Sequence, residues 1–325
     1  MISLRAQGLL AALLLIASTG CATTLSKTGA AVGDTMTGLP RALEPETALA
    51  SRLCEQRARL DFIQHRVEGS RAYAWDSSPR WTEWWSTHIR DKARAELGTW
   101  SDHCARIDLA SKAHTEATAV IAAYGKALRA LVDDGSYEGE DLTKIAHSGA
   151  SIAESLGGDS FLAKNKSAIA GAGDPLKQLT NFLLTRYTRH QLSEAVERAA
   201  PSVDAILAAL HVYVETVEAE RLDAIARLET VLNAAEPSLA GTERPADAAH
   251  AFIFAEFAVR WTDDLRAPAA RQKTYLDAIQ ELRDSHRRLA EEAHRARPVE
   301  RELAQIRARA AAISDALVRL GTQPI

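Results

Sequence analysis

Apolar side chains return every three or four positions along most of this chain, and nowhere do they keep up the two-residue alternation of a strand. The C-terminal stretch shows the pattern most cleanly. Leu303, Ile306, Ala310, Ile313, Leu317 and Leu320 follow one another at alternating steps of three and four, which is the seam of a coiled coil. Tyr275, Ile279, Leu282, His286 and Leu289 repeat that spacing upstream, and Pro298 separates the two stretches. The pattern predicts helices over about 269–296 and 299–320, paired as an antiparallel coiled-coil-like hairpin.

The same reading places helices earlier in the chain. One covers about 44–72, with Leu53, Leu60, Ile63 and Val67 on one stripe. Asp76-Ser77-Ser78-Pro79 ends it and starts another, because Ser78 can cap a helix and Pro79 suits the first helical position. The next helix runs over about 80–133, about 80 Å at the usual rise. Its stripe includes Trp100, Cys104, Ile107, Ile121, Leu128 and Leu131, and Gly98 and Gly125 are points where it could bend. A turn at 135–139 leads to helices at about 140–156 and 159–170. Asp174-Pro175 opens another that Pro201 is expected to break or kink, with Val203, Leu207, Leu210, Val214 and Val217 carrying the pattern on to about 234. A loop through Pro237, Gly241 and Pro245 then precedes an apolar helix, Phe252 to Trp261. The fold class is all-α: an elongated multi-helix bundle over 43–325, with a subdivision expected near 236–246.

The start of the chain has a different pattern. Arg5 precedes an apolar run, Gly8 to Ala17, that is too short to span a bilayer. Small residues and Cys21 follow, as in a secretory signal peptide over 1–20. With Gly20-Cys21, this stretch resembles the bacterial lipoprotein class, although Ser18 stands where Leu is commonest. The resemblance covers about the first two dozen residues. It implies cleavage before Cys21, lipid on the Cys21 thiol and acylation of the new amine, which together give a lasting anchor. Ala22 rather than Asp follows the cysteine, and by the same resemblance the outer membrane is favoured over the inner one. The competing reading is a soluble periplasmic protein cut after Ala22. Residues 21–42 lack periodicity and are expected to be a lipidated flexible tether, whose 22–42 coil spans about 25 Å.

Composition narrows the function classes. Formal net charge is −4, which argues against general nucleic-acid binding. The chain has no Gly-x-Ser-x-Gly, Walker glycine loop, His-Glu-x-x-His or Ser-x-x-Lys penicillin-binding signature, and no cofactor is implied. Scattered histidines such as His65, His88 and His103 do not make a zinc set. The acidic turn Asp133 to Asp141 does not keep calcium-loop spacing. Arginines of the C-terminal hairpin alternate with glutamates, as on a solvated helix face.

Two features remain. Trp75, Trp81, Trp84 and Trp85 crowd the first hairpin turn, where they would either touch a partner or plug the hairpin end. The exported domain also keeps two cysteines, Cys54 and Cys104, whose midpoint is Pro79. Equidistant from a hairpin turn, they would stand at one height and bridge in an oxidising compartment. Two buried thiols or pairing between chains are the alternatives. These readings point to a non-catalytic envelope lipoprotein: a scaffold, adaptor or partner-binding subunit, joined to a membrane by lipid and to an envelope protein. The rival is an envelope hydrolase using Glu256, Asp263 or Asp264.

Overall fold

The computed structural model describes residues 24–70, 90–134, 136–137, 175, 178–179, 187–188, 191–240, 258–263, 265–295 and 298–322. Almost all of these are helical. In chain order the long elements are α1 (24–37), α2 (Leu39–Ser70), α3 (Arg90–Asp133), α4 (Leu192–Ala240), α5 (Ala269–His294) and α6 (Glu300–Thr322). A two-residue ladder, β1 (Ser136–Tyr137) with β2 (Tyr187–Thr188), pairs Ser136 with Thr188 and Tyr137 with Tyr187 in antiparallel register. The all-α bundle is therefore the architecture of the described residues, and helices occupy the two C-terminal segments where the spacing predicts them.

The expected tether is the main correction. Residues 24–37 form a helix, and Val32, Met36 and Leu39 are fully buried. Its small side chains hide it from a leucine-based reading, because threonine and glycine are poor helix formers in isolation. Packing supplies what propensity lacks. Thr28 and Thr35 donate to the carbonyls of Thr24 and Ala31 one turn back, and also to Leu303 and Ala310 of α6, at 3.4 and 2.9 Å. Gly38, after α1, faces Leu317, and Arg41 lies against Gly321. Residue numbers rise together on both sides, so α1 and α6 run parallel, matched heptad to heptad.

Glycine sets the approach of α1 to α3. A Cβ on Gly33 would lie 2.5 Å from the Gly125 carbonyl oxygen, and one on Gly125 would strike the Gly33 carbonyl oxygen. Only hydrogen fits on either side of that contact. Gly125 thus serves close packing inside an unbroken helix. Asp34 and Arg129 flank it with an ion pair at 2.6 Å.

Three further expectations change. Pro201 does not end its helix, since α4 runs unbroken from Leu192 to Ala240, past Pro237 as well. Pro201 is exposed, so the hydrogen bond it cannot make faces solvent, while Val196, Ala199, Val203 and Leu207 continue the buried stripe. The helix expected from Asp174 through 199 is interrupted, with Tyr187-Thr188 extended in β2, in keeping with the strand preference of aromatic and β-branched side chains. Its partner, β1, falls within the turn expected at 135–139.

The chain divides into two compact units, though not near 236–246. Unit 1 holds Met1–Pro45, Ala113–Tyr213 and Thr274–Pro324, and unit 2 holds Glu46–Lys112 and Val214–Lys273. The core of unit 1 is the buried stripe of α6 with Tyr124, Leu128, Ile206, Leu207, Tyr275 and Leu282. That of unit 2 includes Leu49, Leu53, Val217, Leu228, Trp261 and Leu265.

Candidate functional site

Unit 2 contains the cysteine pair. Cys54 of α2 and Cys104 of α3 form a disulfide with their Cα atoms 5.6 Å apart. Ser51 donates to Asp108 at 2.5 Å one turn away. Both pairs are centred on or beside position 79, so in unit 2 α2 and α3 are antiparallel in the register that equal distance from Pro79 predicts. Arg57 then joins α2 to α4 through Glu220 at 2.6 Å.

Beside this pin lies a buried charge network. Glu46 is fully buried, and Arg271 is 7 % exposed. The Arg271 Nε donates to Glu46 Oε1 at 3.0 Å. Next to Arg271, the Gln272 side-chain oxygen accepts from the Nε of buried Arg221 at 3.1 Å. Arg221 also grips Glu218 and the Leu265 carbonyl, at 2.6 and 2.7 Å. Burial pushes the Glu46 carboxyl above its usual range, while Arg271 pulls the other way and only partly offsets it. Glu46 Oε2, Arg271 Nη2 and Gln272 Nε2 are buried without a hydrogen-bond partner among the described residues. Two opposed pairs of charge thus neutralise one another within unit 2, an arrangement that is costly to break on one side.

Unit 1 has its own buried polar pair. Tyr124 Oη and His286 Nε2 share a hydrogen bond at 3.0 Å. Burial lowers the His286 pKa to about 4, against the pull of Asp204, and raises that of the Tyr124 phenol. The pair is therefore neutral near pH 7, a hydrogen bond closed off from water. Nearby, Arg283 forks onto both Asp204 oxygens at 2.6 and 2.8 Å, and Arg287 adds a third contact at 2.9 Å. The Arg283 hydrogen bond, the largest influence, holds the Asp204 carboxyl below its usual value. His114 stacks on Tyr213 with ring centres 4.0 Å apart.

Sequence reasoning missed Glu46, Arg221 and Arg271 because charged residues read as solvated. The signal was their position. Glu46 sits on the stripe Leu39, Leu43, Ala50, Leu53, and Arg221 on Val214, Val217, Ala224, Leu228. Arg271 lies one turn before Tyr275 on the α5 seam. A charge on an apolar stripe marks a buried pair.

Of the residues singled out from sequence, the structure brings together Cys54 and Cys104. Cys21, Trp75, Trp81, Trp84, Trp85, Glu256 and Asp264 lie outside the described residues. Asp263 is exposed on a helical stretch, and Asp133 and Asp134 are exposed at the end of α3. Among the described residues no group of three or more His, Cys, Asp or Glu side chains could hold a metal, and no helix is long and apolar enough to cross a membrane. No family model matches the chain, and no curated protein or solved structure matches it either.

Proposed function

We propose that the chain is a lipid-anchored envelope protein whose helical bundle acts as a scaffold or adaptor for an envelope partner, without chemistry of its own. The observation that carries this reading is the junction at Cys21: an apolar leader ends in Gly20-Cys21, and residue 24, three positions later, already lies in core helix α1. A lipid on Cys21 would then be attached almost directly to the fold. Cys54–Cys104 fits an oxidising compartment. Buried ionisable side chains pair across helices, as Glu46–Arg271 and Tyr124–His286. Such pairs hold helices in register, which suits a framework that presents surfaces.

The test is complementation of a deletion strain. Wild-type protein should incorporate labelled palmitate and restore the strain. Cys21→Ser should take up no label, leave the membrane fraction and fail to restore it. A Glu256→Gln, Asp263→Asn, Asp264→Asn triple variant should restore it fully. Loss of complementation by that triple variant with its helical signal intact would move the reading to an envelope hydrolase. Membrane retention of Cys21→Ser would remove the lipid anchor.

A further inference from the structure

The helix termini of unit 1 at the α1 start gather at one end. Gly29 of α1 stands within packing distance of Leu192, the first residue of α4. Ser193 donates to the Ala293 carbonyl in the last turn of α5, at 2.6 Å. His294 meets Glu197 there at 3.2 Å. Glu292 accepts from the Val299 backbone N–H at 2.7 Å, which closes the connection from α5 to α6.

The parallel match of α1 with α6 fixes heights at this end. Thr28 lies against the Leu303 carbonyl. One turn back along each helix, Thr24 falls level with Val299, whose backbone carbonyl accepts from Leu303 N–H. Val299 is an exposed apolar side chain, 42 % open to solvent. Lys27 and Arg301 are exposed at the same level, and Arg295, bridged to Glu292 at 2.6 Å, is exposed beside them.

We propose that this Val299 end of unit 1 rests on the phospholipid headgroup layer of the membrane that holds the Cys21 lipid. The inference depends on the lipoprotein reading above. Three residues of chain extend at most about 10 Å, and α1 cannot swing away from unit 1 because its side chains and glycines are embedded there. The lipid therefore brings this end of the described part of unit 1 within reach of the bilayer. Glu194, Glu291 and Glu300 are exposed at the same end, so net charge does not draw it down. The covalent anchor does, by keeping the effective concentration of headgroups high. Val299 enters the interfacial layer, and Lys27, Arg295 and Arg301 meet lipid phosphates.

The two exposed valines of the α6 segment provide the test. Val318 is 58 % exposed and lies about 28 Å further along at helical rise. Full-length protein from a lipoprotein-processing host is purified with a photoreactive benzoylphenylalanine in place of Val299 or of Val318. Each version is placed in phosphatidylethanolamine–phosphatidylglycerol vesicles and irradiated. Mass spectrometry reads lipid adducts at the two positions and the acylation of the N-terminal peptide. The expected result is at least a ten-fold excess of lipid adduct at 299 over 318 on acylated protein. Equal yields, or adducts at 318 alone, on acylated protein overturn the placement and leave the lipid anchor standing. An N-terminal peptide without acyl chains overturns both.

Discussion

His286 shows how a single buried side chain sets a pH response. Its folded pKa, about 4, lies below the 6.5 of an unperturbed imidazole. As pH falls, the unfolded chain takes up the proton first. The stability tied to the neutral ring is complete above pH 6.5 and is lost between 6.5 and about 4. The loss comes to about 3 kcal/mol. Glu46 works in the opposite sense, because its raised carboxyl pKa favours the folded state at low pH and its contribution fades as pH rises. Urea unfolding across pH 4–7 on wild type and His286→Gln should separate the two, with the acid-side loss absent from the variant. A variant that keeps the full slope would place the acid sensitivity elsewhere. The Glu46–Arg271 pair makes a second residue-scale prediction. Arg271→Met alone strands a buried carboxylate and should cost about 3–5 kcal/mol, whereas Glu46→Leu with Arg271→Met should come close to wild type. A double variant no better than the single one would show that the pair contributes more than mutual neutralisation.

Helix pairs in this protein are held by devices small enough to overlook. Gly33 and Gly125 let two backbones meet, and a methyl group on either collides with main-chain atoms that cannot rotate away. Gly33→Ala should therefore destabilise by about 1–3 kcal/mol through forced separation of α1 from α3. Gly29→Ala meets only a leucine side chain at 3.9 Å and should be neutral or stabilising by up to about 1 kcal/mol. Thermal melts of the two variants side by side check this, and equal losses would mean that close approach is not what Gly33 provides. The disulfide is the covalent counterpart between α2 and α3. Unreduced, denatured Cys21→Ser protein should show no free thiol. Cys54→Ala with Cys104→Ala should lose about 4 kcal/mol in the chain-entropy model for a loop of this length.

At the scale of the molecule, the N-terminal helix decides what a lipid on Cys21 could do. A coil over 22–42 would let the fold roam above the membrane, but a core helix that already includes residue 24 would join lipid and fold. Deleting residues 24–37 should accordingly unfold unit 1, seen as a helical loss well beyond the deleted turns. Inserting a glycine-serine segment after Thr23 should leave the fold intact. Retention of a cooperative melt and of proportional helicity after the deletion would return this segment to the role of a tether.

The class of fold and the parts governed by local pattern are legible in the order of the residues. The α6 seam from Leu303 to Leu320, the α5 stripe through His286 and the α4 stripe from Val203 to Val217 are buried where three-four spacing places them. The Cys54–Cys104 register was legible too, because residues equidistant from a turn meet in an antiparallel pair whatever their other neighbours. The rest depends on contacts between helices. Thr28, Thr35, Gly33 and Gly125 make α1 a core element through contacts with α3 and α6, and such contacts leave no period of large apolar residues to read. Pro201 is tolerated because it faces solvent, a fact about orientation that a one-dimensional pattern does not contain. Glu46, Arg221 and Arg271 were visible as charges on stripes, but Glu46 and Arg271 lie 225 positions apart and Arg221 reaches Gln272 across 51. Only the packed helices show which charge answers which.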